Sequence, residues 1–292
     1  MTLTEMVQAQ SARLDQAGVS FGHGTSNAHD EAAWLALAAL GLPLDAFDVQ
    51  AERLLDARDC AAVDALVARR IETRQPAAYL THEAWLQGVP FHVDERTIVP
   101  RSLIAELITE GGIDPWLSSK TRRVLDLCTG NGSLAVLAAL AWPEVAVDAS
   151  DVSEAALEVA RINVARHGLG ARITLHRADL LHGLRGGYDL ILCNPPYVNA
   201  ASMAALPAEY RAEPALALAG GADGMDVVRR ILRDAPAAMN DGAVLVLEIG
   251  HERMHFERAF PRLEAVWLDT SAGGDQVLLA TREALQALPP TR

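Results

Sequence analysis

The chain has 292 residues, enough for one large domain or two of ordinary size. Half of its residues are hydrophobic and 22% are charged, which excludes a disordered chain, and no apolar stretch approaches the roughly 18 residues of a membrane helix. The formal net charge of −13 argues against a protein whose main task is to hold nucleic acid, and it favours a basic macromolecular partner.

Three cysteines occur, and their spacing excludes two common kinds of site. Cys60, Cys128 and Cys193 lie far apart and form no CxxC pair, so we expect neither a zinc ribbon nor a disulfide framework. The first residues also lack the basic start and apolar run of a signal peptide. We therefore expect buried thiols in a reducing cytoplasm, with no metal site and no membrane segment.

The first 75 residues are predicted to form a small helical domain. Asn27 is placed to cap a helix whose apolar run, AAWLALAAL, ends at a glycine and a proline. Apolar residues at helical spacing predict another helix over about residues 59–74. No motif in this part carries chemistry, and we expect His23, in a glycine-rich loop, to be structural rather than a metal ligand.

Residues 76–110 change character and are predicted to link two parts of the chain. Aromatic and β-branched residues surround Gly88-Val89-Pro90, which indicates a β-hairpin. A short helix is expected from Arg101 to Glu110. Residues 111–292 then form the second predicted domain.

From Arg123 onward, signals for strands and helices alternate along the chain. This alternation predicts an α/β fold, with a mostly parallel sheet covered by helices on both faces. The last two strands are close enough in sequence to form an antiparallel hairpin. The predicted strands are VLDL (124–127), VAVDAS (145–150), RITLHR (172–177), YDLILC (188–193), AVLVLEIG (243–250), EAVWLD (264–269) and DQVLLATR (275–282), and the predicted helices are SLAVLAALA (133–141) and about 153–167, 224–239 and 251–262.

A glycine-containing turn, DLCTGNG (126–132), follows the first of these strands. Such a turn lies at the sheet edge where doubly wound folds bind ligands, and its glycines allow close approach to the backbone. The GxGxxG pattern of a dinucleotide site is absent, and Asp126 would repel a pyrophosphate but can bind an ammonium group. The alternative is a plain strand–turn–helix.

Two further acids follow the next two strands at the same edge. Asp151 ends the second strand, where a carboxylate can accept hydrogen bonds from ribose hydroxyls. Asp179 follows the third strand, where it can contact an adenine amine or act as a turn or cap acid. Together with the turn, these acids favour an adenosine that carries an amino acid, namely S-adenosylmethionine.

The fourth strand runs directly into Asn194-Pro195-Pro196-Tyr197. The prolines stiffen the backbone and leave carbonyl acceptors, the asparagine adds another acceptor, and the tyrosine adds a flat face. This set can hold a planar group that bears NH₂ and aim its lone pair at a methyl sulfonium. A rigid proline turn would explain the motif alone. In combination with the glycine turn and the ribose acid, it predicts a methyl-transfer site without a general base.

These residues resemble the HemK-type protein-glutamine N5-methyltransferases, a branch of the class I methyltransferases with a seven-strand, Rossmann-like domain. The motifs DLCTGNGSLAV, DASDVSEAAL and LCNPPYV occur in the family's order, and the similarity extends through the linker FHVDERTIVPRSLIAEL to the N-terminal helices. The resemblance covers essentially the whole chain. It implies S-adenosyl-L-methionine as cofactor and a protein glutamine as substrate.

The family has two bacterial branches that differ in substrate. One modifies the glutamine of the GGQ loop in peptide-chain release factors, and the other a glutamine in the third protein of the large ribosomal subunit. The release-factor branch usually reads IPRPDTE where this chain has VPRSLIAE, and the blocks FGHGTSNAHDEA (21–32) and YLTHEAWLQGVPFHVDER (79–96) resemble the ribosomal-protein branch. We therefore expect a basic ribosomal protein as substrate, selected by the N-terminal helices.

The resemblance also implies roles for single residues. Cys128 departs from the family because most members have a third glycine there, so the turn is more constrained. Leu180 replaces an aromatic residue that release-factor enzymes often place against the adenine. The implied cofactor-binding residues are Asp126, Leu127, Cys128, Thr129, Gly130, Asp151, Asp179 and Asn194, and the implied catalytic residues, which clamp the amide, are Asn194, Pro195, Pro196 and Tyr197.

Two other functions are consistent with parts of this pattern. DNA methyltransferases that act on adenine N6 use the same NPPY clamp, but a DNA enzyme should carry a basic groove. Residues 1–110 carry 16 acidic and 8 basic side chains, and residues 111–292 carry 22 and 17. A cluster of three arginines near residue 230 is expected to be a solvated helix face. A cofactor-binding scaffold without activity would give the amide clamp no purpose.

Overall fold

The computed structural model describes residues 1–289, and its first part is helical, as the sequence predicts. Thr2 and Glu5 form a reciprocal capping box at the first helix, and Asn27 caps the second by accepting from the Asp30 amide. The apolar faces of these helices pack into a core of their own. The helices are α1 (Leu3–Gln16), α2 (Ala28–Ala39), α3 (Phe47–Gln50), α4 (Ala57–Thr73) and α5 (Ala77–Thr81).

A two-stranded hairpin follows, and this confirms the hairpin predicted in the linker. Strand β1 (Glu83–Leu86) pairs antiparallel with β2 (Val89–His92). Gln87 and Gly88 both have positive φ, the geometry of a two-residue turn that matches the twist of the strands.

The helix expected over residues 101–110 is shorter than predicted, since α6 covers Ile104–Thr109. The Ser102 hydroxyl and the Leu103 amide donate to the Glu248 carboxylate, at 2.6 and 2.9 Å, so this part of the chain stays in a loop. The division of the chain at about residues 75 and 110 stays a prediction, and the last three residues of the second domain lie outside the described residues.

One seven-stranded sheet forms the second part of the chain, as expected for a class I methyltransferase. Its strands are β3 (Arg123–Leu127), β4 (Ala146–Asp151), β5 (Ile173–Arg177), β6 (Tyr188–Cys193), β7 (Met239–Glu248), β8 (Val266–Thr270) and β9 (Gly273–Thr281). They lie in the order β5-β4-β3-β6-β7-β9-β8, with β3 to β7 parallel and β9 antiparallel to both neighbours. The strand order reverses between β3 and β6, where open α/β sheets bind their ligands.

Helices cover both faces of this sheet. The adjacent residues Val124 and Leu125 are both fully buried but belong to two different core clusters, so the sheet is covered on both sides. The short helices at 200–211 and 282–286 were not predicted, because they are too brief to show apolar periodicity. The helices are α7 (Ser133–Ala141), α8 (Glu154–Arg166), α9 (Ala200–Ala205), α10 (Ala208–Arg211), α11 (Asp226–Ala238), α12 (Arg253–Ala259) and α13 (Arg282–Gln286).

Within residues 1–289, no single helix is long and apolar enough to cross a membrane. Helix α2 and the segment Leu44–Gln50, bent by 111° relative to each other, together have the length and apolar composition of a membrane span. Buried core helices of other proteins often have the same length and composition. Residues 1–289 also contain no group of three or more His, Cys, Asp or Glu side chains that could hold a metal ion.

Candidate active site

A cavity of about 320 Å³ opens at the carboxyl edge of the sheet, where the strand order reverses. Leu127, Asp151 and Asn194, at or just after the ends of β3, β4 and β6, all line it. Its volume lies in the range of small-molecule sites, about 300–1,000 Å³. The parallel sheet therefore brings the glycine turn, Asp151 and the proline motif to one place.

The glycine turn forms one wall of the cavity, which every residue from Asp126 to Gly130 lines. Cys128 has a φ of 62°, a left-handed conformation that glycine adopts readily and other residues rarely do. The backbone constraint expected from its departure from the family pattern is visible in this angle. The Thr129 amide donates to the Ser150 carbonyl at 2.9 Å, which fixes the turn against the end of β4.

Asp126 is buried beneath this turn, with 1% of its surface exposed. Its Oδ2 accepts from the Thr129 hydroxyl and from the Ala135 amide of α7, whereas its Oδ1 has no partner within residues 1–289. Burial raises the pKa of Asp126 to about 7, although its two hydrogen bonds lower it, and the nearby Asp151 raises it further. An ammonium group of a ligand would satisfy the free oxygen.

Asp151 connects the glycine turn to the next strand. Its Oδ2 accepts from the Gly130 amide at 3.0 Å and its Oδ1 from the Ser153 amide at 2.9 Å. Burial raises its pKa, although these backbone donors oppose the rise. Each carboxylate oxygen keeps a second lone pair, so both can still accept from ribose hydroxyls.

Asp179 lies at the rim of the same cavity and is more than half exposed. Its Oδ2 accepts from Arg230 Nη2 of α11 at 2.7 Å. Leu180 has a φ of 53° and forms an apolar part of the wall. Contact of Asp179 with an adenine amine stays a prediction, and that contact would compete with its ion pair to Arg230.

The predicted arginine cluster is a set of paired charges on α11. Besides the pair of Arg230 with Asp179, Arg229 pairs with Asp223 and Asp226, and Arg233 pairs with Asp234. Arg230 also lines the cavity, so the expected solvated helix face fits Arg229 and Arg233 but not Arg230.

The proline motif contributes Asn194 and Pro196 to the cavity wall. Pro195 is buried, and neither Pro195 nor Tyr197 belongs to the residues that line the cavity. Within residues 1–289, the loop hydrogen bonds between backbone groups include none to the carbonyls of Asn194, Pro195 or Pro196. These three carbonyl oxygens therefore have no backbone N–H donor from a loop in the described residues and can accept hydrogen bonds from a ligand.

Tyr197 is held in a socket formed by three glycines. A Cβ atom at Gly220 would lie 2.7 Å from Tyr197 Cα, one at Gly224 would lie 2.3 Å from the Tyr197 carbonyl, and one at Gly250 would lie 2.6 Å from its ring. The Tyr197 hydroxyl donates to Glu248 Oε1 at 3.2 Å. The ring packs against Gly250 and does not line the cavity. Stacking of this ring on a substrate amide stays a prediction.

Two segments of the cavity wall, besides Val227 and Arg230 of α11, were missed by the sequence analysis. The linker supplies one of them, and its similarity to the family was noted without a role for any side chain. The other lies in an alanine-rich segment that shows no pattern. The missed residues are Arg96, Thr97, Ile98, Pro100, Arg101 and Ser102 in the linker and Pro214, Leu216, Ala217 and Ala219 in the segment.

Two family models match separate parts of this chain. Residues 5–81 match the model of the PrmC N-terminal domain, and residues 113–210 match that of the methyltransferase small domain. A Bordetella pertussis protein named ribosomal protein uL3 glutamine methyltransferase is 57% identical over 288 residues, which cover 97% of this chain and 96% of that protein. The chain belongs to the ribosomal protein uL3 glutamine methyltransferase family. The predicted membership in the HemK type and in its ribosomal-protein branch is thereby confirmed, and the protein is a methyltransferase.

Other members of the uL3 glutamine methyltransferase family match over nearly their full lengths. The protein of this name from Burkholderia pseudomallei is 50% identical, over 98% of this chain and 96% of its own. Among solved structures, the hMettl16 catalytic domain in complex with the MAT2A 3′UTR hairpin 6 aligns with a TM-score of 0.51 at 14% identity, covering 76% of this chain and 80% of that one. At this identity the likeness supports the fold alone.

Proposed function

We propose that this chain transfers a methyl group from S-adenosyl-L-methionine to the side-chain amide nitrogen of a glutamine in ribosomal protein uL3. One observation carries the proposal: the glycine turn, Asp151 and Asn194 line a single cavity. They do so in a chain that is 57% identical to a protein named for this activity.

The residues present fit the cofactor. Asp126 Oδ1, buried and without a partner among the described residues, suits an ammonium group, and Asp151 suits a ribose. Leu134 and Leu180 give the cavity apolar walls for an adenine ring. We assign the methionine part to residues 126–130, and the adenine edge to Asp179. When bound, S-adenosyl-L-methionine supplies a methyl group that is electrophilic because it is attached to a positively charged sulfur.

The proline motif would position the substrate. The Asn194 side-chain oxygen and a backbone carbonyl of the motif would accept the two amide protons, and this would aim the nitrogen lone pair at the methyl carbon. Pro196 would border the amide, while Tyr197 would fix the motif from behind. On methyl transfer, one of the two amide protons held by these acceptors would leave to water, so that the product amide is neutral. Holding the amide nitrogen within about 3–3.5 Å of the methyl carbon would supply much of the rate enhancement.

We further propose that residues 1–75 recognise the protein substrate, because residues 111–289 already account for the cofactor and the amide. The substrate would be a basic ribosomal protein, consistent with the net charge of −13. We also propose that the enzyme works in the cytoplasm and contacts neither nucleic acid nor a membrane directly.

The test supplies purified enzyme and methyl-labelled S-adenosyl-L-methionine to unmethylated uL3 and to an unmethylated release factor, each in a separate reaction. Label on a glutamine of uL3 alone is the expected result, and peptide mapping would locate that glutamine. Label on the release factor alone would keep the chemistry but overturn the proposed substrate. Label on neither, with the cofactor bound, would overturn the proposal in favour of adenine methylation or of a scaffold.

A further inference from the structure

Two buried charge clusters connect the N-terminal helices to the segment that follows the proline motif. In the first, Arg70 of α4 is fully buried and donates to Glu31 of α2 at 2.8 Å, to Glu209 of α10 at 3.3 Å and to the Ser20 carbonyl at 2.9 Å. Glu209 also accepts from the Ser20 amide at 3.1 Å. One arginine thus bridges two N-terminal helices and a segment some 140 residues away in sequence.

The second cluster is centred on Glu213, which is also buried. Both of its oxygens accept from Arg101, at 2.6 and 2.7 Å, and the Val99 amide donates to it at 2.9 Å. His23 Nε2 lies 3.5 Å from its Oε2. Although burial raises the pKa of Glu213, His23 and Arg101 lower it to about 2, so the carboxylate is charged at neutral pH.

The glycine-rich loop of the N-terminal part also touches this segment directly. The His23 ring lies 4.2 Å from the Tyr210 ring, centroid to centroid. A Cβ atom at Gly22, whose φ is 120°, would lie 2.3 Å from the Tyr210 hydroxyl oxygen. His23, Gly22 and Glu31 all belong to the block FGHGTSNAHDEA, which the resemblance associates with the ribosomal-protein branch.

The far side of the same segment reaches the cavity. Pro214, Leu216 and Ala217 form part of its wall, directly after Glu213. The segment then pairs with the chain just after the proline motif, since the Val198 amide donates to the Leu218 carbonyl at 2.8 Å. Residues 207–219, which we name the bridging segment, therefore contact the N-terminal helices at one end and the cavity at the other.

Buried charges strongly favour one arrangement of the bridging segment. A buried charge that loses its partner is costly, so the segment cannot shift without breaking several bonds at once. We propose that Glu209, Glu213 and His23 are positioning residues that fix the cavity wall beside the proline motif. The branch-associated block would then govern substrate choice by shaping this wall, as well as through any surface it offers. This inference rests on the function proposed above.

The variant Glu209→Gln tests the proposal, because within residues 1–289 the Glu209 side chain forms hydrogen bonds only with Ser20, Arg70 and Arg74 of the N-terminal part. We expect the KM for uL3 to rise about tenfold or more, since small misplacements in a site are costly, while the Kd for S-adenosyl-L-methionine changes less than about twofold. Trypsin cleavage after the exposed Arg211, within the segment, should accelerate. Glu257→Gln, which breaks the surface pair with Arg253, is the matched control and should change none of these values.

An unchanged KM and cleavage rate in Glu209→Gln would overturn the proposal, and so would an equal loss of cofactor affinity, which indicates a general structural role. If Glu209→Gln fails to fold, the milder His23→Gln decides by the same criteria. Absence of label on uL3 with the wild-type enzyme would instead overturn the proposed function. In that case the trypsin comparison alone decides whether the clusters hold the bridging segment.

Discussion

Asp126, Asp151 and Asn194 act through single side chains near the ends of strands, so point substitutions can separate binding from chemistry. Asp126 and Asp151 line the part of the cavity that we assign to the cofactor, and Asn194, the first residue of the proline motif, lines the same cavity. A planar amide nitrogen is a poor nucleophile because its lone pair is delocalised. The clamp is therefore expected to influence the rate more strongly than the affinity for cofactor.

We expect Asn194→Ala to lower turnover on uL3 by about 10²–10³-fold, the usual effect of removing one preorganised polar group from a transition state. The Kd for S-adenosyl-L-methionine should change less than about threefold. Single-turnover kinetics and calorimetry give the two values. Asn240→Ala, a change of the same size at an exposed position, is the control. Equal losses in turnover and cofactor affinity would assign Asn194 to binding instead.

Asp126 predicts a pH dependence of cofactor binding. Its pKa of about 7 means that the free protein holds a proton there which must leave before the carboxylate can pair with an ammonium group. Affinity for S-adenosyl-L-methionine should therefore increase from about pH 5.5 to about pH 7.5 in wild type. Calorimetry across this range should show a flatter and weaker profile for Asp126→Asn. Methylthioadenosine, which lacks the amino acid part, is the control ligand. A parallel profile for that ligand would contradict the assignment.

The same pKa has a consequence for the stability of the free protein. The folded-state pKa of Asp126 is above the usual value of 3.8, so the folded state binds the proton more tightly than the unfolded state. The contribution of this group to the free energy of unfolding should therefore decrease as the pH rises from about 4 to about 7. Urea unfolding of wild type and Asp126→Asn should converge at low pH and diverge at pH 7, with the variant the more stable at neutral pH. A constant difference would contradict the raised pKa.

At the scale of elements, the proline motif depends on the loop before α11. A glycine in that loop leaves space for the backbone of the motif. Gly224 has a φ of 81° and lies against the Tyr197 carbonyl, whereas Gly242 has a φ of 73° in open space. The two glycines therefore share a strained conformation and differ in their neighbours. This pair separates backbone strain from contact with the motif.

We expect Gly242→Ala to reduce the free energy of unfolding by about 1–2 kcal/mol, from left-handed strain alone, and to leave turnover unchanged. Gly224→Ala should cost about 1–3 kcal/mol more because the new methyl group displaces Tyr197, and it should lower turnover at least about tenfold. Urea unfolding and initial rates measure both effects. Equal effects of the two substitutions would remove any role for the glycine socket.

At the scale of the whole molecule, charge is the feature that bears on partner choice. The net charge of −13 should steer a basic ribosomal protein towards the enzyme. Between about 0.1 M and about 1 M salt the screening length falls from about 10 to about 3 Å, so the association rate with uL3 should decrease at least about tenfold. Stopped-flow binding measures this rate, and the unimolecular methyl-transfer rate of the preformed complex is the control. An association rate independent of salt would contradict electrostatic steering.

The succession of strands along the chain, the hairpin and the motifs around the cavity could all be predicted from the amino-acid sequence. These features are local, because apolar runs, turn residues and cap residues act over a few positions. The glycine turn, Asp151 and Asn194 could also be assigned to one edge of the sheet, because parallel strands place their carboxyl ends together. Short segments such as α9 and α10 escaped prediction because they contain too few residues to display a period.

The surroundings of those motifs, in contrast, depend on how the chain packs in three dimensions. The contacts of Glu248 with Tyr197 and Ser102 join residues 51 and 146 positions apart, and those of Arg70 and Glu209 join residues 139 apart. No local pattern encodes such pairs, because a buried ion pair forms only when packing brings two distant charges out of water together. The same holds for the cavity wall at Pro214 and for the glycines around Tyr197, whose importance arises from their neighbours in space.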